Sequence, residues 1–553
     1  LCLQNCHLAE SWLPRLDRKL EELRDSAEGD VHEDFRLWLT TMPTSKFPVT
    51  VLQNSLKLTI EPPKGLKANM ARSYAEIEEK FFDSSAKPGV FKNMMFGLAF
   101  FNAVIQERRK YGAVGWNIPY QWMTSDLITA QQNLRIYVDE QPETPYDALM
   151  TITADVVFGG RITDKMDVRT ARTVLEAFFN PGAVEQHASY CPQLDSRFKY
   201  AAPPEGPLDS YRKYISTFPL VDRPEIFGLH QNADISSQQK ESKDILDAII
   251  AVQPRTSSGG SGKSNDEIVA EMAADLARQM PPALERKEAD GTVFRKLADG
   301  SVNPLGIFLS HEMHKFNRLI KQMVNMLHEM QRAIKGLVVM SAELDAMYAN
   351  FLFQQVPGPW GENGKGYPSL KPLSSWFKDF VERVAFMRKW LSGGPPTTFW
   401  ISCFFFPQGF FTSALQAHAR KFQLPIDQLL FRTAVMKSMG LADTPSPPEN
   451  GVYIHGMFME GARWNKEDDC IDESHPGELF APVPVVWLQP AMLDDPKPVS
   501  TYECPFYKTN IRAGTLSTTG HSTNHVCNFD IPTKADAGHW VRRGAALISQ
   551  LNA

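Results

Sequence analysis

The sequence is poor in most of the features that would announce a chemistry. Its seven cysteines (Cys2, Cys6, Cys191, Cys403, Cys470, Cys504 and Cys527) are odd in number and scattered, with no Cys-x-x-Cys and no Cys/His metal spacing. That fits free thiols in a reducing compartment better than a disulfide framework. An excess of one charge is missing too. Across 553 residues the net charge is -6, which gives neither a basic footprint for nucleic acid nor a polybasic membrane signal. No uninterrupted apolar run approaches the roughly 18 residues of a spanning helix, so neither a membrane nor a nucleic acid is expected as a partner. An initiator Met and a charged n-region are also lacking. The sequence opens "LCLQNCHL", which reads as the middle of a buried strand in something longer and not as a signal peptide.

What is present is ordinary globular composition, 43% hydrophobic and 22% charged, at a length that supports three or four domains. Residues 1 to about 70 read strand, helix, strand. "LCLQ" and "FRLWLTT" are the strands, and Trp12, Leu13, Leu16, Leu20 and Leu23 form one helical stripe behind Ser11 as N-cap. From about Ala71 the pattern is helical. "GVFKNMMFGLAFFNAVIQERRKYG" closes on a basic last turn and Gly112, as a helix dipole prefers. Further helices fill residues 223 to 395, the strongest being "HKFNRLIKQMVNMLHEMQRAIKGLVVM". Beyond Thr397 short apolar runs alternate with Pro, Gly and Asn, as in an antiparallel sheet or small barrel interrupted by the helix "TSALQAHARKF".

Each motif that hints at catalysis is incomplete. Ser257 to Ser264 ends in Gly262-Lys263-Ser264 like a phosphate-binding loop, but Ser257 stands where the first glycine should be. The preceding "SKDILDAIIAV" has helical and not strand periodicity, Pro254 ends it, and "GLVVMSAELD" downstream has Ser341-Ala342 where the acids should be and looks helical. A connector loop, exposed and poorly ordered over 255 to 265, is the better reading. His311 and His314 around Glu312 are spaced i and i+3, not the i and i+4 of a zinc helix. Ser517, His521, Ser522 and His525 supply nucleophile and base types without a Gly-x-Ser-x-Gly turn, so loop and hairpin chemistry explains them better. The residues alone give a multidomain protein with no recognisable active site.

Several stretches together resemble the C-terminal end of a dynein heavy chain. They are "LQNCHLAESWLPRL" (3–16), "FRLWLTTMPTSKFPVTVLQNSLKLTIEPPKGLKAN" (35–69), "IQERRKYGAVGWNIPY" (105–120), "FGGRITDKMD" (158–167), "PEIFGLHQNADI" (224–235), "AIKGLVVMSAEL" (333–344), "YPSLKPL" (367–373), "FFFPQGFFTSALQAHARKFQLPID", "GMFMEGARWN" and "YECPFYKTNIRAGTLSTTGHSTN". They cover nearly the whole sequence in the family's order, and the wording is closer to axonemal (ciliary or flagellar) heavy chains than to cytoplasmic ones.

The resemblance implies a mixed α/β multidomain fold. Residues 1–70 would be the trailing part of the sixth AAA+ module's large α/β subdomain, and 71–222 its helical lid. Residues 223–396 would be the helical part of the C-terminal domain, and 397–553 an antiparallel, barrel-like part. It implies an ATP-driven, minus-end-directed microtubule motor in the axonemal cytoskeleton, on the cytoplasmic side, with ATP and Mg²⁺ in earlier modules and no cofactor here. Implied partners are the rest of the ring, the linker, intermediate and light chains, and microtubules through a stalk outside this sequence. If "LCLQN" is the Walker B strand, Gln4 and Asn5 stand where acids should hold Mg²⁺ and polarise water, and neutral amides can do neither. No catalytic or metal-binding residue is therefore expected, and this region would be a non-hydrolysing, ring-closing and regulatory part. Two other readings stay open: an autonomous nucleotide hydrolase using Ser257 to Ser264, and a passive scaffold that docks accessory subunits.

Overall fold

The computed structural model describes residues 1–25, 31–42, 44, 46–59, 62–184, 189–191, 194, 198–252, 264–296, 300–361, 364–436, 446–496, 499–514 and 522–550. They form two compact units, Leu1–Pro63 and Lys64–Ala553.

In the first unit β1 (Cys2–Leu3) pairs in parallel with β2 (Trp38–Leu39), and the Leu13–Arg24 helix lies between them in sequence. Ser11 does not cap that helix. It sits inside a 3₁₀ turn, Glu10–Trp12, and the α-helix starts with Pro14 in its first turn, where a fixed φ and a missing N–H do no harm. The core is small, formed by Cys6, Leu13, Leu16, Phe47 and Val51. The opening strand is not buried as its composition implied: Cys2 is exposed and Leu3 half-buried.

The second unit has two separate hydrophobic cores. The first gathers residues from Leu66 to Ala233 around the Pro88–Glu107 helix, which is mostly apolar because nearly all of it from Phe91 onward is buried. Residues Pro88–Val114 are long and apolar enough to cross a membrane by composition; here they form the axis of a packed helical core. Phe96 and Phe100 meet Tyr190, Tyr211 and Phe178 across it.

The second core runs from Val269 to Leu547. Its helical part includes Asn265–Gln279, the long Pro304–Ile334 helix and Leu373–Gly393. The long helix stops earlier than its apolar run predicts. Gly336, at φ +71, turns the backbone out, the Leu337 N–H donates to the Arg332 carbonyl, and "GLVVM" leaves the helix. The next helix, Ala342–Leu352, is capped by the Ser341 side chain.

The strands that follow are β3 (Thr398–Trp400), β4 (Leu429–Val435), β5 (Val452–His455), β6 (Phe458–Glu460), β7 (Arg463–Asn465), β8 (Cys470–Asp472), β9 (Phe480–Pro482), β10 (Val486–Met492), β11 (Thr501–Thr509), β12 (His525–Pro532) and β13 (Ala546–Gln550). They build a four-stranded sheet in the order β3-β5-β10-β4, a five-stranded sheet in the order β12-β11-β13-β6-β9, and the β7-β8 pair. The expectation of a purely antiparallel arrangement fails. β3 with β5 and β11 with β13 are parallel pairs, because long excursions, and not hairpins, connect them. Among the described residues no sheet closes on itself. Side chains, not a backbone ladder, link β4 to β12: Thr433 Oγ1 donates to the Asp530 carbonyl at 2.8 Å and Arg432 reaches the Asp530 carboxylate at 3.6 Å.

Candidate functional site

The two cores of the second unit are joined by a polar seam. It begins where the Pro88–Glu107 helix tightens into the 3₁₀ turn Arg108–Val114, broken at Gly112 (φ +63). Tightening rotates Arg108 inward, and its side chain is fully buried. Its guanidinium donates to four carbonyls: Gly115 (3.2 Å), Val114 (3.4 Å), Phe227 (2.5 Å) and Arg542 (3.1 Å). The last belongs to the Ala537–Arg543 helix of the β-rich half, so one side chain ties three segments together. Burial lowers the proton affinity of Arg108, and Asp167 opposes that shift.

Beside it, Asn117 donates through Nδ2 to Asp164 Oδ1 (3.2 Å) and to Tyr507 Oη on β11 (2.8 Å). Asp167 accepts from the backbone N–H of Asn117 (3.0 Å) and Ile118 (3.2 Å) and from Tyr120 Oη (2.9 Å). Burial, then the neighbouring Asp164, push the Asp167 carboxyl up to about 7 against the pull of those donors. Asp164 also caps the Lys165–Leu175 helix. From that helix Arg169 donates to the Glu503 carbonyl (2.8 Å) and lies over the Tyr502 ring.

The other end of the seam is built in the same way. Arg543 donates to the carbonyls of Gly228 (3.2 Å) and Leu229 (2.7 Å), and Asn232 clasps the 475–478 turn through the carbonyls of His475 and Glu478 and the Gly477 N–H. Glu473 accepts from Arg543 (3.0 Å) and pairs with His539 (2.7 Å). Two glycines permit the close approach. Gly544 has φ +66, and a Cβ there would lie 2.2 Å from the Val114 carbonyl oxygen. Gly228, at φ +78, faces Arg542.

Of the residues singled out from the sequence, Ser522 and His525 touch Arg512 and Tyr507 of the seam, and the bonds of the other described ones are made elsewhere. Gln4 and Asn5 are exposed at the end of β1, with Asn5 at φ +55 and its N–H bonded to Thr40 Oγ1 (3.0 Å). Gly262 and Lys263 lie outside the described residues, as do Ser517, His521 and nearly all of the 255 to 265 loop. Ser264 is described, and it is a helix cap. Its hydroxyl accepts from the Glu267 N–H while its own N–H donates to Glu267 Oε2, a capping box. The His311, Glu312 and His314 side chains diverge: both histidines are exposed, and Glu312 turns into the core to accept from the Phe405 N–H (2.7 Å). Ser522 donates to the Arg512 carbonyl, and His525 pairs with Asn528. Among the described residues no group of three or more His, Cys, Asp or Glu side chains could hold a metal.

Comparison with known proteins agrees with this organisation. Three dynein heavy-chain domain families match in order: the region D6 P-loop domain over residues 1–59, the AAA lid domain over residues 91–233, and the C-terminal domain over residues 239–549. The protein belongs to the dynein heavy chain family. Among its relatives, dynein axonemal heavy chain 6 of Homo sapiens is 43% identical over 570 residues, covering 100% of this sequence and 14% of the relative. Dynein axonemal heavy chain 1 of Mus musculus is 42% identical over 99% of this sequence and 13% of its own length. Dynein axonemal heavy chain 12 of Rattus norvegicus is 40% identical over 100% of this sequence and 18% of its own length. This dynein polypeptide thus spans less than a fifth of each of these three relatives, and its polar seam joins the region matched as AAA lid to the region matched as C-terminal domain.

Sequence reasoning missed the seam, although its residues were in view. Arg108, Gly115, Asn117 and Tyr120 lie in "IQERRKYGAVGWNIPY", Asp164 and Asp167 in "FGGRITDKMD", Phe227, Gly228 and Asn232 in "PEIFGLHQNADI", and Tyr502, Tyr507 and Arg512 in "YECPFYKTNIRAG". Four of the stretches that carry the family resemblance converge on one interface.

Proposed function

We propose that this protein is the force-transmitting, ring-closing and regulatory end of an axonemal dynein heavy chain, an ATP-driven, minus-end-directed microtubule motor. The observation that carries this reading is the seam. Its bonds are directional and most are at least partly buried, so a displacement of the lid passes to the C-terminal domain as a rigid-body movement. ATP binding and hydrolysis with Mg²⁺ belong to earlier modules of the ring, and the lid hands the resulting movement towards linker and stalk. Intermediate and light chains, and microtubules through the stalk, are partners of the whole assembly in the axoneme, on the cytoplasmic side.

Residues 1–70 serve as part of the large subdomain, 71–222 as the lid, 223–396 as the helical part and 397–553 as the barrel-like part of the C-terminal domain. The side-chain links between β4 and β12 support the barrel-like description. No residue here is assigned to catalysis, nucleotide or metal, and Gln4 and Asn5 at the end of β1 are the amides expected of a silent site. The test is Arg108→Met introduced into the intact motor. Velocity or stall force should fall while nucleotide binding by the other modules is retained; unchanged motility would remove the transmitting role.

A further inference from the structure

At the centre of the seam lies a cavity of about 20 Å³, lined by Asn117, Asp167 and Arg169 from the helical half and Tyr502, Tyr507 and Arg512 from the β-rich half, among others. That is room for one water-sized particle. Two guanidinium groups line it, Arg169 from the helical half and Arg512 from the β-rich half, and in both the Nε–H is buried with no hydrogen-bond partner among the described residues. Arg512 is only 4% exposed; its Nη2 is committed to Glu460 (2.7 Å) and the Gly544 carbonyl (2.8 Å). Arg169 spends its terminal nitrogens on Glu503 and Tyr502.

Buried N–H donors of a cation are costly to leave unmatched. Moreover, neither Arg108 nor Arg169 has a carboxylate within ion-pairing distance among the described residues; of these three guanidiniums only Arg512 does, in Glu460. The charged side chains that line the cavity are the two guanidiniums and Asp167, and its unmet groups among the described residues are both donors.

We propose that this cavity is a binding site for a single small anion of halide size, held between Arg169 and Arg512 and locking the lid to the β-rich half. The proposal does not depend on the motor reading. Asp167 is the group that opposes it. Its carboxyl is already bound by three donors and pushed up to about 7, so anion binding strengthens as the pH falls through neutrality. The other ionisable groups around Asp167 are Asp164 and Tyr120 on the helical side, Tyr507 and Arg512 on the β-rich side, and Arg108 between them.

Thermal unfolding of the full 553-residue protein, with chloride exchanged for gluconate at constant ionic strength, tests this directly. A saturable rise in Tm of about 2 °C or more is expected in chloride, larger at acid pH. Crystals soaked in bromide should show anomalous density between the two guanidiniums. Arg169→Gln, at a half-buried position that leaves the core intact, should weaken the chloride response about tenfold or more, roughly 1.4 kcal/mol. A Tm insensitive to chloride, a water in place of bromide, or a chloride response that survives in Arg169→Gln would each overturn the assignment.

Discussion

Replacing Arg108 by methionine isolates what one buried side chain does for the seam. Methionine keeps most of the aliphatic stem and its packing, so the loss is confined to the guanidinium. Three of its bonds, to Phe227, Arg542 and Gly115, are 3.2 Å or shorter. Each backbone carbonyl left without its donor costs about 1–3 kcal/mol, which sums to about 3–9 kcal/mol. Removing a buried cation returns several kcal/mol of desolvation, so the net loss comes to about 2–4 kcal/mol. Urea unfolding measures the total, and amide hydrogen exchange locates it. Exchange should accelerate at Gly228, Leu229 and Gly544 while the Pro88–Glu107 helix and β11 keep their protection, because their cores are untouched. Arg108→Lys should recover at most half, since a point ammonium cannot span carbonyls on three segments. A loss under about 0.5 kcal/mol with unchanged exchange at those three amides would refute the reasoning.

Other consequences follow from the same geometry. Gly544→Ala places a Cβ against the Val114 carbonyl at a positive φ, and should destabilise the folded protein by about 1–3 kcal/mol in urea titrations. Asp167 is an acid whose folded pKa, about 7, lies above its ordinary 3.8. Its contribution to stability is therefore fully present below pH 3.8 and is lost as the pH rises through about 7. Asp167→Asn should flatten the fall in the urea midpoint across that window relative to the parent protein. Tyr507→Phe removes one of the two acceptors of the Asn117 amide and should cost about 1 kcal/mol. Under the proposed function, Lys263→Ala leaves any ATP hydrolysis by this protein at background; loss of a real activity in that variant would instead favour the autonomous hydrolase.

The readable part of the fold was the part that periodicity encodes. The Pro88–Glu107 and Pro304–Ile334 helices and strands such as β10 and β11 follow from the spacing of apolar residues, because burial of a face dictates that spacing. What was missed depends on partners distant in sequence. Arg108 read as a basic residue complementing a helix end, yet it is buried on carbonyls more than a hundred and more than four hundred positions away. Ser11 lost its capping role to the proline that follows, and "GLVVM" lost its helix to Gly336, both local choices that composition leaves ambiguous. Parallel pairing of β3 with β5 and of β11 with β13 was invisible, since strand alternation looks alike in either direction. At the candidate site, the residue types that usually signal chemistry misled, while Asn117, Asp164 and Asp167 stood only within stretches that carry the family resemblance and were given no role of their own.

The division into two cores gives the seam its mechanical character. Apolar packing is strong but weakly directional, and a single continuous core would resist separation while tolerating small slides. Here the halves instead meet through Arg108, Asn117, Arg169, Asn232 and Arg543, each bound to backbone or side-chain atoms of the other half. A slide of one residue would break all of these at once, and the buried Asn117–Tyr507 pair would lose its bond without gaining water. The seam therefore favours one register, which under the proposed function lets it pass displacement from one half to the other as a rigid body. Its free energy rests on a few hydrogen bonds, those of Arg108, Arg169 and Arg543 charge-assisted, while each core rests on tens of buried side chains, so the seam is expected to open before either core.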